Sequence, residues 1–138
     1  MGVKLNGLVA CAGLLVSGLP ALAHHSFAAE YDAKKPVELK GVVTKVEWTN
    51  PHAHFYLDVK DGGGVVANWN LELASPNMLI RNGWKRTSLK IGDQITVNAS
   101  RAKDGTNTAS TVNVVFPDGH KLTFMSADPA PERQEKEK

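Results

Sequence analysis

The sequence predicts a small all-β domain that contains one short helix. Five segments alternate apolar and polar residues with a period of two, which is typical of half-buried strands. Only the segment 75–83 has a helical pattern. The chain has 138 residues, of which 42% are hydrophobic and 22% charged, so it is long enough for one domain and hardly for two.

The first 23 residues predict an export signal that is cleaved after Ala23. Lys4 gives a positive start, an apolar run follows at 8–15, and the segment 21–23 has the small residues of a cleavage site. The run is shorter than the roughly 20 apolar residues of a transmembrane helix. We therefore expect a periplasmic protein without a transmembrane span. A loose likeness to a lipobox around Cys11 makes a lipid anchor the alternative.

Cleavage would change the charge and the cysteine content. Removing 23 of the 138 residues leaves 115, and it removes one of the 16 basic residues, none of the 14 acidic residues and the single cysteine. The mature chain would form no disulfide and hold no thiolate-bound metal. Its nearly balanced charge argues against nucleic acid as a partner, because binding the phosphate backbone needs a basic surface.

The mature chain divides into three parts. Residues 24–35 predict a polar lead-in with two aromatic anchors, Phe27 and Tyr31. Residues 36–125 predict the folded domain. Residues 126–138 contain prolines and mixed charges with no large apolar residue, which predicts a disordered tail.

The strand pattern gives the expected inward faces. Gly41 lies where the first strand changes phase, which predicts a bulge or a sharp bend in a strand that serves two sheets. Strands two to five are expected to point the following residues inward: Phe55, Leu57 and Val59; Val65, Ala67, Trp69, Leu71 and Leu73; Ile95, Val97 and Ala99; Val112, Val114 and Phe116. A short C-terminal strand would carry Leu122 and Phe124.

The helix separates the third strand from the fourth. Ser75 is a candidate N-cap, Pro76 suits the first helical position, and Gly83 suits the C-terminal stop. The order β-β-β-α-β-β with a bent first strand is that of the OB-fold, a five-stranded Greek-key barrel. Another small β-sandwich or an α+β roll is the alternative.

Several motifs together have a familiar pattern. They are His24–Asp32, Trp48-Thr49-Asn50-Pro51-His52, Ser75-Pro76-Asn77, Arg81-x-Gly83-Trp84 and Ala102–Gly105. This combination resembles the domain-of-unknown-function 6152 family of small exported bacterial proteins, over nearly all of the mature chain. The resemblance implies export and supplies no activity, substrate or cofactor. It also implies that an aromatic residue often replaces His54, which argues against an essential ligand there.

Cleavage after Ala23 would create a candidate metal site at the new terminus. The α-amine and the imidazole of His24 can chelate one ion, as in the copper-binding brace of exported copper proteins, and His25 adds a second imidazole. Such nitrogen donors suit Cu(II), Ni(II) or Zn(II). The alternative is a pair of solvent-exposed histidines without a ligand.

A second candidate lies on the outer face of strands two and three. His52 and His54 share one side of the second strand, and Glu72 of the third lies opposite one or the other, depending on register. Two imidazoles and a carboxylate suit zinc or copper. This face is also the usual ligand surface of OB-folds. The alternative is an ordinary polar outer face.

Aromatic and polar residues extend this candidate surface. Trp48 and Trp84, with Arg81 beside them, would line one mouth of the barrel and suit an anionic or carbohydrate ligand. Asn50 and Tyr56 would belong to the same ligand surface. Packing in the core is the more frequent role of such tryptophans.

No motif of a common enzyme class is present: there is no Gly-x-Ser-x-Gly, no His-Glu-x-x-His and no phosphate-binding glycine loop. We therefore expect a non-catalytic periplasmic binding protein for copper or zinc. His24, His25 and His52 would hold the metal, with Glu72 or His54 assisting. The alternative is a cell-envelope interaction module that binds a protein or a small molecule on the outer face of strands two and three. The sequence predicts no oligomeric state.

Overall fold

The described part of the chain, residues 27–123 of a computed structural model, consists mainly of strands. The elements are α1 (Phe27–Glu30), β1 (Tyr31–Glu47), β2 (His54–Lys60), β3 (Val66–Glu72), α2 (Pro76–Arg81), β4 (Gln94–Ala102), β5 (Thr108–Val115) and β6 (Lys121–Thr123). The predicted all-β class and the helix between the third and fourth strands are confirmed. The predicted signal peptide, His24, His25 and the predicted C-terminal tail lie outside the described residues.

The six strands form one sheet in the order β3-β2-β1-β4-β5-β6. Neighbours in this order are antiparallel. In addition, β3 pairs with β5 in parallel, with Asn70 opposite Thr108 and Glu72 opposite Ser110. Both long sides of β3 therefore have a neighbouring strand.

The long first strand pairs with two neighbours. Gly41 lies opposite Val59 of β2 and opposite Ile95 of β4, and the register with β2 shifts between Val43 and Lys45. The predicted irregularity is confirmed and lies a few residues further along the strand. A Cβ atom at Gly41 would stand 2.1 Å from the carbonyl oxygen of Asp58, so only glycine allows β2 to approach this closely.

The first strand also begins earlier than expected. Tyr31 is buried and lies opposite Ala102 of β4, so part of the lead-in predicted for residues 24–35 is strand. The backbone N–H of Lys103 donates to the carbonyl of Glu30, which extends the pairing into α1. The residues after Tyr31, namely Asp32, Ala33, Lys34 and Lys35, have no alternating apolar pattern that would have predicted a strand.

The core contains the inward residues of the strands together with Leu79, Trp84 and Leu89 of the segment between β3 and β4. Two expected core residues are exposed instead. Val65 precedes β3 and belongs to the β2–β3 turn. Val112 is the extra residue of a bulge, because Asn98 pairs with Asn113 while Ala99 pairs with Thr111. Thr111 takes the buried position.

The helix has the predicted ends. The Ser75 hydroxyl accepts from the backbone N–H of Met78 at 3.4 Å, Pro76 is the first helical residue, and Gly83 has a φ of 85°. Leu79 points into the core. In residues 27–123, no helix has the length and apolar character needed to cross a membrane.

Candidate functional site

Polar side chains of three neighbouring strands meet on the outer face of the sheet. Two rows cross β1, β2 and β3 in register: Glu47, His54 and Glu72 form the first, and Lys45, Tyr56 and Asn70 form the second. The inward residues between them, Phe55 and Leu71, are fully buried. Strand alternation therefore points both rows away from the core.

His52 joins this face just before β2 begins. Ala53, between the two histidines, is fully buried, and its N–H donates to the carbonyl of Ala74 at 3.1 Å. The strand alternation thus extends back to His52, which puts it on the same side as His54. The register places Glu72 opposite His54.

Each histidine forms a hydrogen bond diagonally to β3 through the same ring atom. Nδ1 of His52 lies 2.7 Å from Oε1 of Glu72. Nδ1 of His54 lies 2.9 Å from Oδ1 of Asn70. A carboxylate oxygen and an amide oxygen only accept hydrogen bonds, so both Nδ1 atoms carry the proton. In the neutral rings the lone pair is then on Nε2.

Glu72 is buried although it points outward. Its residue exposure is 9%, and its second oxygen accepts a short hydrogen bond from the hydroxyl of Tyr31, which is 5% exposed. Tyr31, Glu72 and His52 therefore form one hydrogen-bonded chain that joins the start of β1, the end of β3 and the approach to β2. No local sequence pattern connects Tyr31 to this site, because 41 residues separate it from Glu72.

Burial and the Glu72 carboxylate control the protonation of Tyr31. Burial of the phenol, followed by its hydrogen bond to Glu72, raises the pKa of Tyr31 well above its usual value near 10. The phenol thus remains a hydrogen-bond donor at neutral pH, and it uses one of the two carboxylate oxygens of Glu72.

Replacing Tyr31 with phenylalanine is expected to lower the free energy of unfolding by about 1–3 kcal/mol. The variant would leave a buried carboxylate oxygen of Glu72 without its donor, which is costly for a charged acceptor. Urea unfolding at neutral pH measures the loss. The matched control is Tyr56→Phe, because that hydroxyl donates at 3.2 Å to the more exposed Glu47. We expect the control to lose less than about 0.5 kcal/mol.

The raised pKa of Tyr31 also predicts an alkaline loss of stability. The unfolded chain releases the phenol proton near pH 10 while the folded chain retains it, so this contribution is complete below pH 10 and declines above it. The decline should be smaller in Tyr31→Phe than in the wild type. Identical slopes in the two proteins would contradict the buried Tyr31–Glu72 bond.

A second cluster involves Tyr56, a predicted ligand residue. Lys45 and Glu47 form an ion pair, and the ammonium of Lys45 lies 5.0 Å from the centroid of the Tyr56 ring. The hydrogen bond from Lys45 lowers the pKa of Glu47, and burial raises the pKa of Tyr56. Tyr56 is therefore fixed by its own neighbours at the side of the histidine pair.

The remaining predicted ligand residues lie apart. Trp84 is 2% exposed, and its Nε1 donates to the carbonyl of Thr123 at 3.5 Å, so the ring is core and offers no open face. Trp48 is half-buried against the core. Asn50 and Arg81 are exposed. The ligand site expected at one end of the barrel, with Trp48, Arg81 and Trp84, therefore lacks the exposed ring of Trp84.

The described side chains do not complete a metal site by themselves. Within residues 27–123, no three His, Cys, Asp or Glu side chains are arranged to hold an ion. The Glu72 carboxylate already contacts both Tyr31 and His52. The described part of the predicted metal set therefore offers two imidazoles, with Glu72 acting on His52 as a hydrogen-bond acceptor.

A model of a family of unknown function, DUF6152, matches residues 11–111. The chain belongs to this family. The DUF6152 match includes β1 to β4 and the first part of β5, and hence the whole histidine face. No curated protein matches the chain, and no solved structure does. Membership in DUF6152 assigns no activity, so a function must be argued from the geometry.

Proposed function

We propose that this DUF6152 protein is a non-catalytic periplasmic binding protein that holds a copper or zinc ion on the outer face of β2 and β3. The observation that supports this is the common orientation of His52 and His54, whose Nδ1 atoms are both held by acceptors of β3. Metal-binding histidines usually donate their second ring N–H to a carboxylate or another acceptor in this way. Nε2 of each ring would be the metal ligand.

The proposal gives Glu72 and Asn70 a positioning role. Each fixes the tautomer and the ring direction of one histidine, and a carboxylate acceptor also makes its imidazole a stronger donor to a metal. Glu72 thus differs from the ligand role expected from the sequence. Two imidazoles are fewer than the four donors that zinc and copper commonly take, so the ion needs further ligands.

The remaining donors would come from His24 and His25. Cleavage after Ala23 would give His24 a free α-amine, which adds a nitrogen to the two imidazoles of this pair. His24 lies seven residues before Tyr31 in the sequence, and four of these residues form α1, so the span between them is at most about 17 Å. Because the Tyr31 hydroxyl contacts Glu72, which contacts His52, this span would allow His24 to approach the outer face of β2 and β3.

We also propose that the sheet is an OB-fold-like Greek-key barrel of five strands, β1 to β5. The parallel pairing of β3 with β5 supports this, because it joins the two sides of the series β3-β2-β1-β4-β5. In such barrels the outer face of the second and third strands is the ligand surface. The histidine pair lies on that face.

Titration of the chain 24–138 with Cu(II) and Zn(II) against a competing chelator tests the metal site. We expect the double variant His52→Ala, His54→Ala to bind at least about 100-fold more weakly, since it lacks two ligands. The metal affinity of the double variant His24→Ala, His25→Ala should fall by a similar factor.

The control is His120→Ala. His120 also has a carboxylate at Nδ1, that of Asp118 at 2.5 Å, but it lies in the exposed turn before β6. Its replacement should leave the affinity unchanged. Equal affinities for the wild type and the two double variants would reject the metal site. That result would favour the alternative, in which the outer face of β2 and β3 is the surface of an envelope interaction module.

A further inference from the structure

Positive charge is concentrated in the connector between β3 and β4, defined here as residues 73–93. The connector contains one acidic residue, Asp93, and four basic residues, Arg81, Lys85, Arg86 and Lys90. The other described residues include eight basic and nine acidic side chains. The connector is therefore the basic part of a domain that is otherwise slightly acidic.

These four side chains are available to an external partner. All four residues are exposed, and none forms an ion pair with another described residue. Outside the connector, Lys40 forms an ion pair with Glu38 and Lys45 with Glu47. The acidic residue of the connector, Asp93, accepts a hydrogen bond from the backbone N–H of Lys90 at 2.8 Å, so the four basic side chains still outnumber the acidic one.

The connector also exposes large apolar side chains. Met78 is 42% exposed, Ile80 57% and Ile91 72%. Between them, Leu79 and Leu89 are buried in the core together with Trp84, so the backbone is fixed while the apolar side chains face outward. These three aliphatic side chains, like the four basic ones, are therefore accessible to an external partner.

We propose that the connector binds the surface of an anionic phospholipid bilayer. Arg81, Lys85, Arg86 and Lys90 would contact phosphate headgroups, and Met78, Ile80 and Ile91 would enter the apolar boundary beneath them. Basic and aliphatic side chains on one segment are the combination that such an interface binds. A bilayer offers many mobile negative charges above an apolar layer, so it satisfies exposed, separately placed groups without a preformed pocket.

Vesicle co-sedimentation of the chain 24–138 tests this contact. Vesicles of phosphatidylcholine with and without phosphatidylglycerol are compared at low and high salt, with a chelator present so that the result is independent of any metal. We expect binding to the anionic vesicles at least about 100-fold stronger than to the neutral ones at low salt, and a decline as salt rises. Equal binding to both vesicles would overturn the proposal.

Variants with matched charge locate the contact. One variant replaces the four connector cations with glutamine, and its control replaces four exposed lysines outside the connector, namely Lys34, Lys35, Lys60 and Lys121. The connector variant should lose anionic binding while the control retains most of it. Equal losses in the two variants would show general charge attraction and overturn the assigned surface.

A third variant, Met78→Ser with Ile80→Ser and Ile91→Ser, tests the apolar part. It should bind anionic vesicles about tenfold more weakly, because less apolar area enters the interface. Wild-type affinity in this variant would overturn the proposed insertion. Binding of soluble polyglutamate as tightly as anionic vesicles would also overturn the proposal, in favour of an acidic polypeptide.

Discussion

Replacing Trp84 with alanine is expected to lower the free energy of unfolding by about 3–5 kcal/mol. The side chain is 2% exposed among the core residues, and its removal leaves a large cavity. The free energy of unfolding of a small domain is only about 5–15 kcal/mol, so this single substitution would remove a large part of it. Chemical denaturation followed by circular dichroism measures the loss.

Two further variants complete this test. Trp84→Phe retains much of the aromatic volume, so its free energy of unfolding should fall clearly less than that of the alanine variant. It also gives a measurable result if Trp84→Ala fails to fold. Arg81→Ala, at an exposed position of the same connector, should change stability by no more than about 0.5 kcal/mol. If Trp84→Ala were as stable as the wild type, the Trp84 ring would not belong to the core, and it would again be a candidate ligand-binding residue.

Replacing Gly41 with alanine is expected to cost about 3 kcal/mol. The added Cβ atom would stand 2.1 Å from the Asp58 carbonyl oxygen, which is backbone and cannot rotate aside. Gly41 pairs with both β2 and β4, so β1 cannot move away from one partner without losing its register with the other. Thermal and urea unfolding measure the loss.

Gly62→Ala is the matched control for this second prediction. Gly62 lies in the turn between β2 and β3, and a Cβ atom there would meet no heavy atom within 4 Å. Its replacement should change stability by less than about 0.5 kcal/mol. If the two alanine variants were equally stable, the close approach of β1 and β2 at Gly41 would be disproved.

Local chemistry was sufficient to predict α2 and the inward face of β2, but not α1 or the beginning of β1. Ser75, Pro76 and Gly83 act within their own helix, so their roles follow from the nearby sequence. Alternation along β2 likewise separates Phe55 and Leu57 from the polar residues between them. The irregularity near Gly41 was predictable because the apolar pattern changes phase there.

Register and long-range packing were not predictable in the same way. The bulge at Val112 depends on how β5 pairs with β4, and the local pattern gives no sign that Thr111 takes the buried place. Tyr31 belongs to a strand whose partner, Ala102, is far away in the sequence. Trp84 follows the helix, and only the packed structure shows that its ring enters the core rather than a mouth.

For the candidate site, the sequence predicted the residues better than their roles. Alternation along β2 placed His52 and His54 on one side, and a hairpin to β3 brought Glu72 near them. The bond between Glu72 and Tyr31 depends on how the beginning of β1 folds over β3, which no local pattern encodes. That bond is the reason that Glu72 positions His52 in our proposal.

The parallel pairing of β3 with β5 has a consequence for self-association. A strand with an open edge can recruit the same strand of another molecule and start an aggregate. At Asn70–Glu72, β3 has neighbours on both sides, so this part of the strand has no open edge. The last strand in the sheet order is β6, and its three residues Lys121–Thr123 present little backbone to a second molecule. The exposed lysine of this short strand is itself a common protection against edge-to-edge stacking.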